Sequence, residues 1–385
     1  MAASATERMA RCLGERHLAD PQAPVLLMVS GGSDSTALAY LAAELRAQGS
    51  LGPLGILHVN HRLRGAQAEA DEAFVGQLAA LLGIPLFARS VDVGALAAAE
   101  EGNVEAVARR ERYRAADEAL VRLCRSASAP VAEGRIFTAH TADDRVESFY
   151  MRSIVGTGPG GFRAMRYRNG RVCRPLLDAS REELRSYLRE RAESGQTVAR
   201  DAAGALWRED ATNAHTDRFR AFVRHEIVPR AKERNPQLLT TLTRTMNLIA
   251  DEDDMLRAQA STLIDRSVVW MAEGVRSQGC LIDPSFGEAP RPLARRAVDE
   301  VLQRMLGPEE RIEAASVEAV LDAFGHSDSR QDPDEPGSST GPLVGIGAPR
   351  GGYVANIQGN LAVSANKRGV RIEPMAAFRA RRKRG

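Results

Sequence analysis

Over the first half of the chain, short continuous apolar runs alternate with longer segments in which apolar residues recur every three or four positions. Val25 to Val29 is a continuous apolar run of the kind a buried parallel strand carries, and Leu54 to Val59, Pro85 to Val91 and Arg135 to Ala139 read as further strands. Between them, Leu38, Leu41, Ala42 and Leu45 form a helical stripe, and Phe74, Leu78, Leu81 and Leu82 form another. Asn103 to Leu123 and Asp143 to Ile154 read as further helices, and Ala5 to Leu18 as a short one broken by Asp20-Pro-Gln-Ala-Pro24. Such alternation predicts a parallel sheet with helices on both faces and ligands at the carboxyl ends of its strands. The first and fourth strands are then neighbours around one cleft.

Beyond this region the pattern changes. Gly156 to Gly161 is a glycine loop expected to be mobile, Val172 to Leu177 a last short strand, and Pro175 predicts that this strand lies at an edge. Ser180-Arg-Glu-Glu183 is a capping box opening a helix through Leu188. From Trp207 the chain is polar and basic, and then Leu239, Leu242, Met246, Ile249, Leu256 and Leu263 mark a long linker helix, its stripe interrupted at Asp253. Helices at Pro292 to Met305 and Ala314 to Phe324 precede a flexible loop, Ser327 to Gly341. Tyr353 to Ile357 and Leu361 to Ser364 read as a hairpin, and Arg379 to Arg384 as a short basic tail. The expected fold class is α/β, a parallel sheet with helices on both faces, followed by a mainly helical linker and a smaller C-terminal α+β region. The expected divisions are 1–217, 218–265 and 266–385.

At 385 residues, with 44% hydrophobic and 26% charged positions, the chain has room for two or three domains. No apolar run is long enough to span a bilayer and the N-terminus lacks a signal-peptide pattern, so a cytoplasmic protein is expected. The four cysteines form no CxxC pair, which removes a zinc ribbon and predicts reduced, mostly buried thiols. A formal net charge of +2 decides nothing about nucleic acid. Nearly all the positive charge is arginine, a bias that more often reflects genome composition than function, so local clusters carry the argument.

The sharpest cluster is Ser30-Gly-Gly-Ser-Asp-Ser35, placed where the first strand runs into its helix. Gly31-Gly32 permits a tight turn, and the helix start behind it aims backbone N–H groups and the hydroxyls of Ser30, Ser33, Ser35 and Thr36 at one anion site. The chain has no GxxxxGK[ST] and no lysine before Lys232, so the nucleotide site is not a Walker P-loop. The six residues resemble the SGGxDS signature of the PP-loop ATP pyrophosphatases. That resemblance implies ATP held by Ser30, Gly31, Gly32, Ser33, Asp34 and Ser35, transfer of AMP to a substrate oxygen and release of pyrophosphate. A bare Asp34 carboxylate would repel ATP unless Mg²⁺ lay between them, which favours a metal-bridging role over that of a simple helix-start acid.

Further segments are similar to one family, the tRNA(Ile)-lysidine synthases. His58-Val-Asn-His-Arg-Leu-Arg64 resembles its HxNHxLR segment, Ala108-Arg-Arg-Glu-Arg-Tyr113 its ARxxRY, and Thr138 to Glu147 its TAHxxDDxxE; Arg174 to Leu177 and Glu209 to Asn213 fit later landmarks. The match spans roughly residues 20 to 236 in the right order. Ala221 departs from it, standing where the family usually has asparagine between two arginines. The resemblance implies a PP-loop/adenine nucleotide α-hydrolase-like fold, tRNA(Ile) with a CAU anticodon and free lysine as substrates, and a second copy of the chain as a homodimer partner. Its wobble cytidine would be adenylated at the C2 oxygen, and the lysine ε-amine would then displace AMP. The residues implied are Asp34, His140, Asp144, Glu147 and Arg112 for catalysis, His58 at ATP, Asp144 and Glu147 at the lysine ammonium, and Arg109, Arg112, Arg220 and Arg224 at tRNA. A tRNA cytidine thiolase is the alternative; it would need sulfur-handling cysteines, and no CxxC pair is present.

Overall fold

The computed structural model describes residues 4–209, 218–272, 278–307, 310–325 and 345–383. The loop expected at Ser327 to Gly341 and the landmark residues 210–213 lie outside them. The chain forms two compact units, Met1–Ala250 and Asp251–Gly385. Sequence had suggested three segments, and the middle one, 218–265, is shared between these two units.

In the first unit the helices are α1 (Ala5–Glu15), α2 (Ser33–Ala47), α3 (Ala66–Leu82), α4 (Val93–Ala99), α5 (Val104–Ser126), α6 (Ala142–Val155), α7 (Arg181–Glu193), α8 (Arg218–Phe222) and α9 (Val228–Arg234). The strands are β1 (Val25–Met28), β2 (Leu54–Asn60), β3 (Leu86–Ser90), β4 (Arg135–Phe137), β5 (Arg168–Asn169) and β6 (Val172–Cys173). A 30-residue helix, α10 (Leu238–Ser267), runs across the division between the units.

The sheet order is β3-β2-β1-β4-β6-β5, parallel throughout except for β5 against β6. The expected pairing of the first and fourth strands is therefore observed: Leu26 faces Ile136 in register and Leu27 faces Phe137. β1 is central because it is apolar on both faces. Val25 and Leu27 pack with α1, α2 and α3, whereas Leu26 packs with Ala116, Leu120 and Leu123 of α5. At Gly55 a Cβ would lie 2.9 Å from the Phe87 ring and 3.2 Å from Leu123, so a glycine is needed where α5 crosses β2. The edge position read from Pro175 is corrected. Arg168–Asn169 adds an antiparallel edge strand outside Val172–Cys173, and Pro175 lies beyond the strand end.

The second unit contains β7 (Val268–Trp270), β8 (Cys280–Ile282), α11 (Arg291–Leu306), α12 (Ala314–Asp322), β9 (Val354–Ile357), β10 (Leu361–Asn366), β11 (Gly369–Pro374) and α13 (Met375–Arg382). Its antiparallel sheet runs β7-β8-β11-β10-β9, so the expected hairpin is present inside a larger sheet. Asp253 does not break α10. It is 3% exposed and paired with Arg257 and Arg296, which satisfies the acid that interrupts the apolar stripe. The basic tail begins as α13, where Arg381 pairs with the buried Glu373.

Leu27 has no solvent exposure and sits in the middle of the first core. Leu27→Ala should cost about 2–5 kcal/mol of stability, from lost transfer energy plus the cavity left behind. Chemical denaturation would check this, with a loss below about 1 kcal/mol showing that the site collapses around the smaller side chain.

Candidate functional site

The parallel pairing of β1 and β4 places two strand ends side by side, and both run directly into helices. β1 leads into Ser30 to Ser35, and β4 into Thr138 to Glu147. A cleft of about 1480 Å³ opens there, and its lining includes Ser30, Asp34, His58, His140, Asp144 and Arg181.

On the β1 side, Gly31 has φ +95°, a conformation that side chains oppose, and a Cβ there would meet Arg208 Cγ at 3.4 Å. The Ser35 hydroxyl donates to the Gly32 carbonyl and accepts from the Ser30 N–H, which fixes the turn. Thr36 donates to the Gly31 carbonyl. No side chain caps the start of α2, so the helix presents its first-turn N–H groups to the cleft. This is the geometry of an anion cradle, and the glycines leave it open to a phosphate.

From β2, His58 is buried and its Nδ1–H donates to the Val29 carbonyl at 2.9 Å. Its Nε2 is consequently an acceptor, buried without a protein partner. An unsatisfied acceptor in the wall of a cleft fits a ligand donor such as the amino group of a nucleobase. His61 lies nearby, 3.4 Å from the Arg112 guanidinium; burial, then Arg112, lowers its pKa to about 4, so the imidazole is neutral.

On the β4 side the charges concentrate. Asp144 Oδ2 accepts from the Thr141 N–H and hydroxyl at 2.9 and 3.1 Å, closing the start of α6. Glu147, one turn on, is 2% exposed. Arg181, the first residue of α7, links the two halves of the site. Its Nε lies 3.2 Å from Asp34, and its two terminal nitrogens lie 3.3 Å from Asp144 and 3.9 Å from Glu147. Arg220 and Arg224 complete the cluster, at 3.0 and 2.7 Å from Glu147. Asp143 points elsewhere, accepting from the Arg181 backbone N–H and from Lys232.

These neighbours set the protonation states. Burial alone would raise the Asp144 carboxyl, but Arg181, the Thr141 N–H, His140 and Arg220 together hold it below the usual carboxylate range. Asp34 goes the other way, pushed up by burial with Arg181 opposing. Burial lowers His140 to about 4 despite the pull of Asp144, and its Nδ1 lies 2.9 Å from the Thr138 hydroxyl. At neutral pH His140 is an uncharged imidazole beside a fully ionised carboxylate.

The residues to which the resemblance gives roles all line this cleft except Gly31 and Glu147, and Glu147 is paired with Arg220 and Arg224, which do line it. Arg109 and Arg112 line the same cleft from α5. Sequence reasoning gave Arg220 and Arg224 to RNA and did not anticipate that both would pair with the proposed lysine-binding acids. It missed Arg181, which reads only as the first residue after the Ser180 cap. It also missed Arg208, whose N–H donates to the Gly31 carbonyl while its guanidinium bridges Asp71 and Asp201.

Residues 2–231 match the PP-loop domain family. The tRNA(Ile)-lysidine synthase of Thermus thermophilus is 36% identical over 301 residues, covering 78% of this chain and 53% of that protein. That of Geobacter sulfurreducens is 33% identical, with 77% and 58% covered, and that of Chlorobaculum tepidum 34% identical, with 63% and 67% covered. The chain spans about half the length of the Thermus relative. A PP-loop fold, the cradle behind β1 and these relatives agree: the chain belongs to the tRNA(Ile)-lysidine synthase family of PP-loop proteins.

Proposed function

We propose that this protein uses ATP to join free lysine to C2 of the wobble cytidine in a tRNA(Ile) with a CAU anticodon. The observation that carries the reading is the adjacency of β1 and β4, which puts an uncapped phosphate cradle and a carboxylate cluster in one cleft. Two chemical steps need both.

In the first step the cytidine C2 oxygen attacks the α-phosphorus of ATP, and the bond to pyrophosphate breaks. Ser30 to Ser35 would hold the phosphates through the α2 N-terminus. Asp34 suits Mg²⁺, which commonly takes one or two carboxylates and completes its shell with phosphates and water; among the described residues there is no cluster of three metal-capable side chains. The ion would neutralise phosphate charge. Arg109 and Arg112, which line the cleft from α5, would meet the cytidine or its phosphate.

In the second step the lysine ε-amine attacks C2, the bond to AMP breaks, and a proton leaves the new C–N centre. Asp144 and Glu147 would receive the ε-ammonium, and the depressed Asp144 pKa keeps that carboxylate charged for pairing with it. Neutral His140 stands at the adenylate without adding positive charge against the incoming cation. The thiolase alternative lacks support, because all four cysteines are buried and free, and burial pushes Cys12 up to about 12. Among the described residues no helix is long and apolar enough to cross a membrane. The region after Trp207 would share in gripping the RNA.

Radiolabelled lysine incorporated into unmodified tRNA(Ile) only when ATP is present would support the assignment; labelled ATP consumed with no lysine in the product would refute it. Asp34→Ala should abolish AMP transfer with a stability change of about 0.3–1 kcal/mol, since Arg181 keeps Asp144 and Glu147 as partners. Normal AMP transfer by that variant would remove Asp34 from catalysis. His140 also makes stability depend on pH. Its folded pKa of about 4 lies below the ordinary 6.5, so the unfolded chain binds the proton first; the contribution is complete above 6.5 and lost as pH falls to 4. His140→Asn should therefore flatten the fall in melting temperature over that window, and an unchanged slope would show that the imidazole is not held neutral.

A further inference from the structure

Every oxygen that the reading above offers to a lysine ammonium is already occupied. Glu147 Oε1 accepts from Arg224 Nε at 2.7 Å, and Oε2 accepts from Arg224 Nη2 and Arg220 Nε at 3.0 Å each. Asp144 Oδ2 serves Thr141, while Oδ1 takes Arg181 and Arg220, both at 3.3 Å. Three carboxylates, Asp34, Asp144 and Glu147, face three guanidinium groups, Arg181, Arg220 and Arg224, so a further cation meets a cluster that is already neutral. Arg220 and Arg224 line the cleft and Glu147 does not. The arginines form a cover over the acid.

We propose that Arg220 and Arg224 hold the ammonium site closed in the RNA-free protein, and that phosphates of the bound RNA draw them away so that lysine replaces them. The proposal rests on the reading of Asp144 and Glu147 as the lysine site. Arg181 is the fixed member of the cluster. It sits at the start of α7 with its backbone N–H on Asp143 and its side chain on three acids. Arg220 and Arg224 are differently placed. They follow one another across α8 and a π-helical turn, Val223–Ile227, and the Arg220 side chain is 37% exposed. A π turn carries one residue more than an α turn, and its reversion to α geometry would rotate the side chains before it relative to those after it. Guanidinium groups bind phosphate bidentately, so RNA offers them a partner equal to the carboxylate they leave.

The exchange is reciprocal. Withdrawing both arginines with no replacement would leave the Glu147 charge buried with only Arg181 nearby, an unfavourable state that the ammonium relieves. RNA and lysine therefore each favour the arrangement that admits the other, and each must raise the other's affinity by the same factor. Lysine would then be captured only when the RNA is in place.

Equilibrium dialysis of labelled lysine against the full chain, without ATP, tests this with and without an RNA hairpin bearing an unmodified CAU loop. The hairpin should tighten lysine binding by roughly 5–150-fold, and lysine should tighten hairpin binding equally. Arg220→Gln combined with Arg224→Gln should bind lysine tightly without RNA. This separates exchange from a site built partly by the RNA itself, which would stay RNA-dependent in the variant. If the double variant unfolds, Arg220→Gln alone should give lysine binding between the two wild-type states. Equal lysine affinity with and without hairpin overturns the exchange but leaves the lysine site standing. Absence of lysine binding in both states, with the hairpin bound, sinks the lysine-site reading and the exchange with it.

Discussion

A carboxylate as deeply buried as Glu147 is tolerated only if cations come to it, because leaving an ionised group unpaired in that position is costly. The cations here come from two separate stretches of chain, Arg181 at the start of α7 and, further along, Arg220 in α8 and Arg224 in the π turn after it. Satisfying one acid on α6 therefore fixes where two distant segments must lie. Val146, adjacent to Glu147, packs with Val223 and Val228 in the same small core, so the ionic and apolar contacts point the same way.

The acid itself is placed by the sheet. β4 is only three residues long, yet it is flanked by β1 on one side and β6 on the other, and all three run parallel. Parallel strands end together, and their helices start together. The α2 N-terminus, which attracts anions, and Asp144 of α6, which attracts cations, therefore share one cleft, bridged by Arg181 between Asp34 and Asp144. That juxtaposition follows from the strand order, which ends β1 and β4 side by side.

Much of this was legible in the sequence because it is local. Apolar runs marked β1 to β4, and the polar clusters fell after β1, β2 and β4, where parallel-sheet ligands belong. What failed was long-range or short. Arg181 looked like an ordinary helix-start residue, and only the tertiary fold shows that it reaches acids 147 and 37 positions away. β5 is a two-residue strand of two polar residues, too brief to leave a periodic signal, so the edge was assigned one strand too early. The sequence shows the interruption of the α10 stripe at Asp253, but a lone acid there gives no hint of Arg296, which supplies its counter-charge.

The same distinction between local and distant chemistry applies to the phosphate turn. Ser30, Ser35 and Thr36 fold the loop onto itself through hydrogen bonds within six residues of sequence, which is why the motif is readable at all. Yet the turn is also held from outside. Arg208 donates its backbone N–H to the Gly31 carbonyl, and its guanidinium is anchored by Asp71 from α3 and by Asp201. Next to it, Trp207 lies under the Arg185 and Arg189 side chains of α7, and Arg185 reaches the Ser33 hydroxyl at 3.4 Å. Trp207 and Arg208 thus hold the phosphate turn from outside it. A displacement of Trp207 and Arg208 would reach the turn at two points, the Gly31 carbonyl and, through Arg185, the Ser33 hydroxyl.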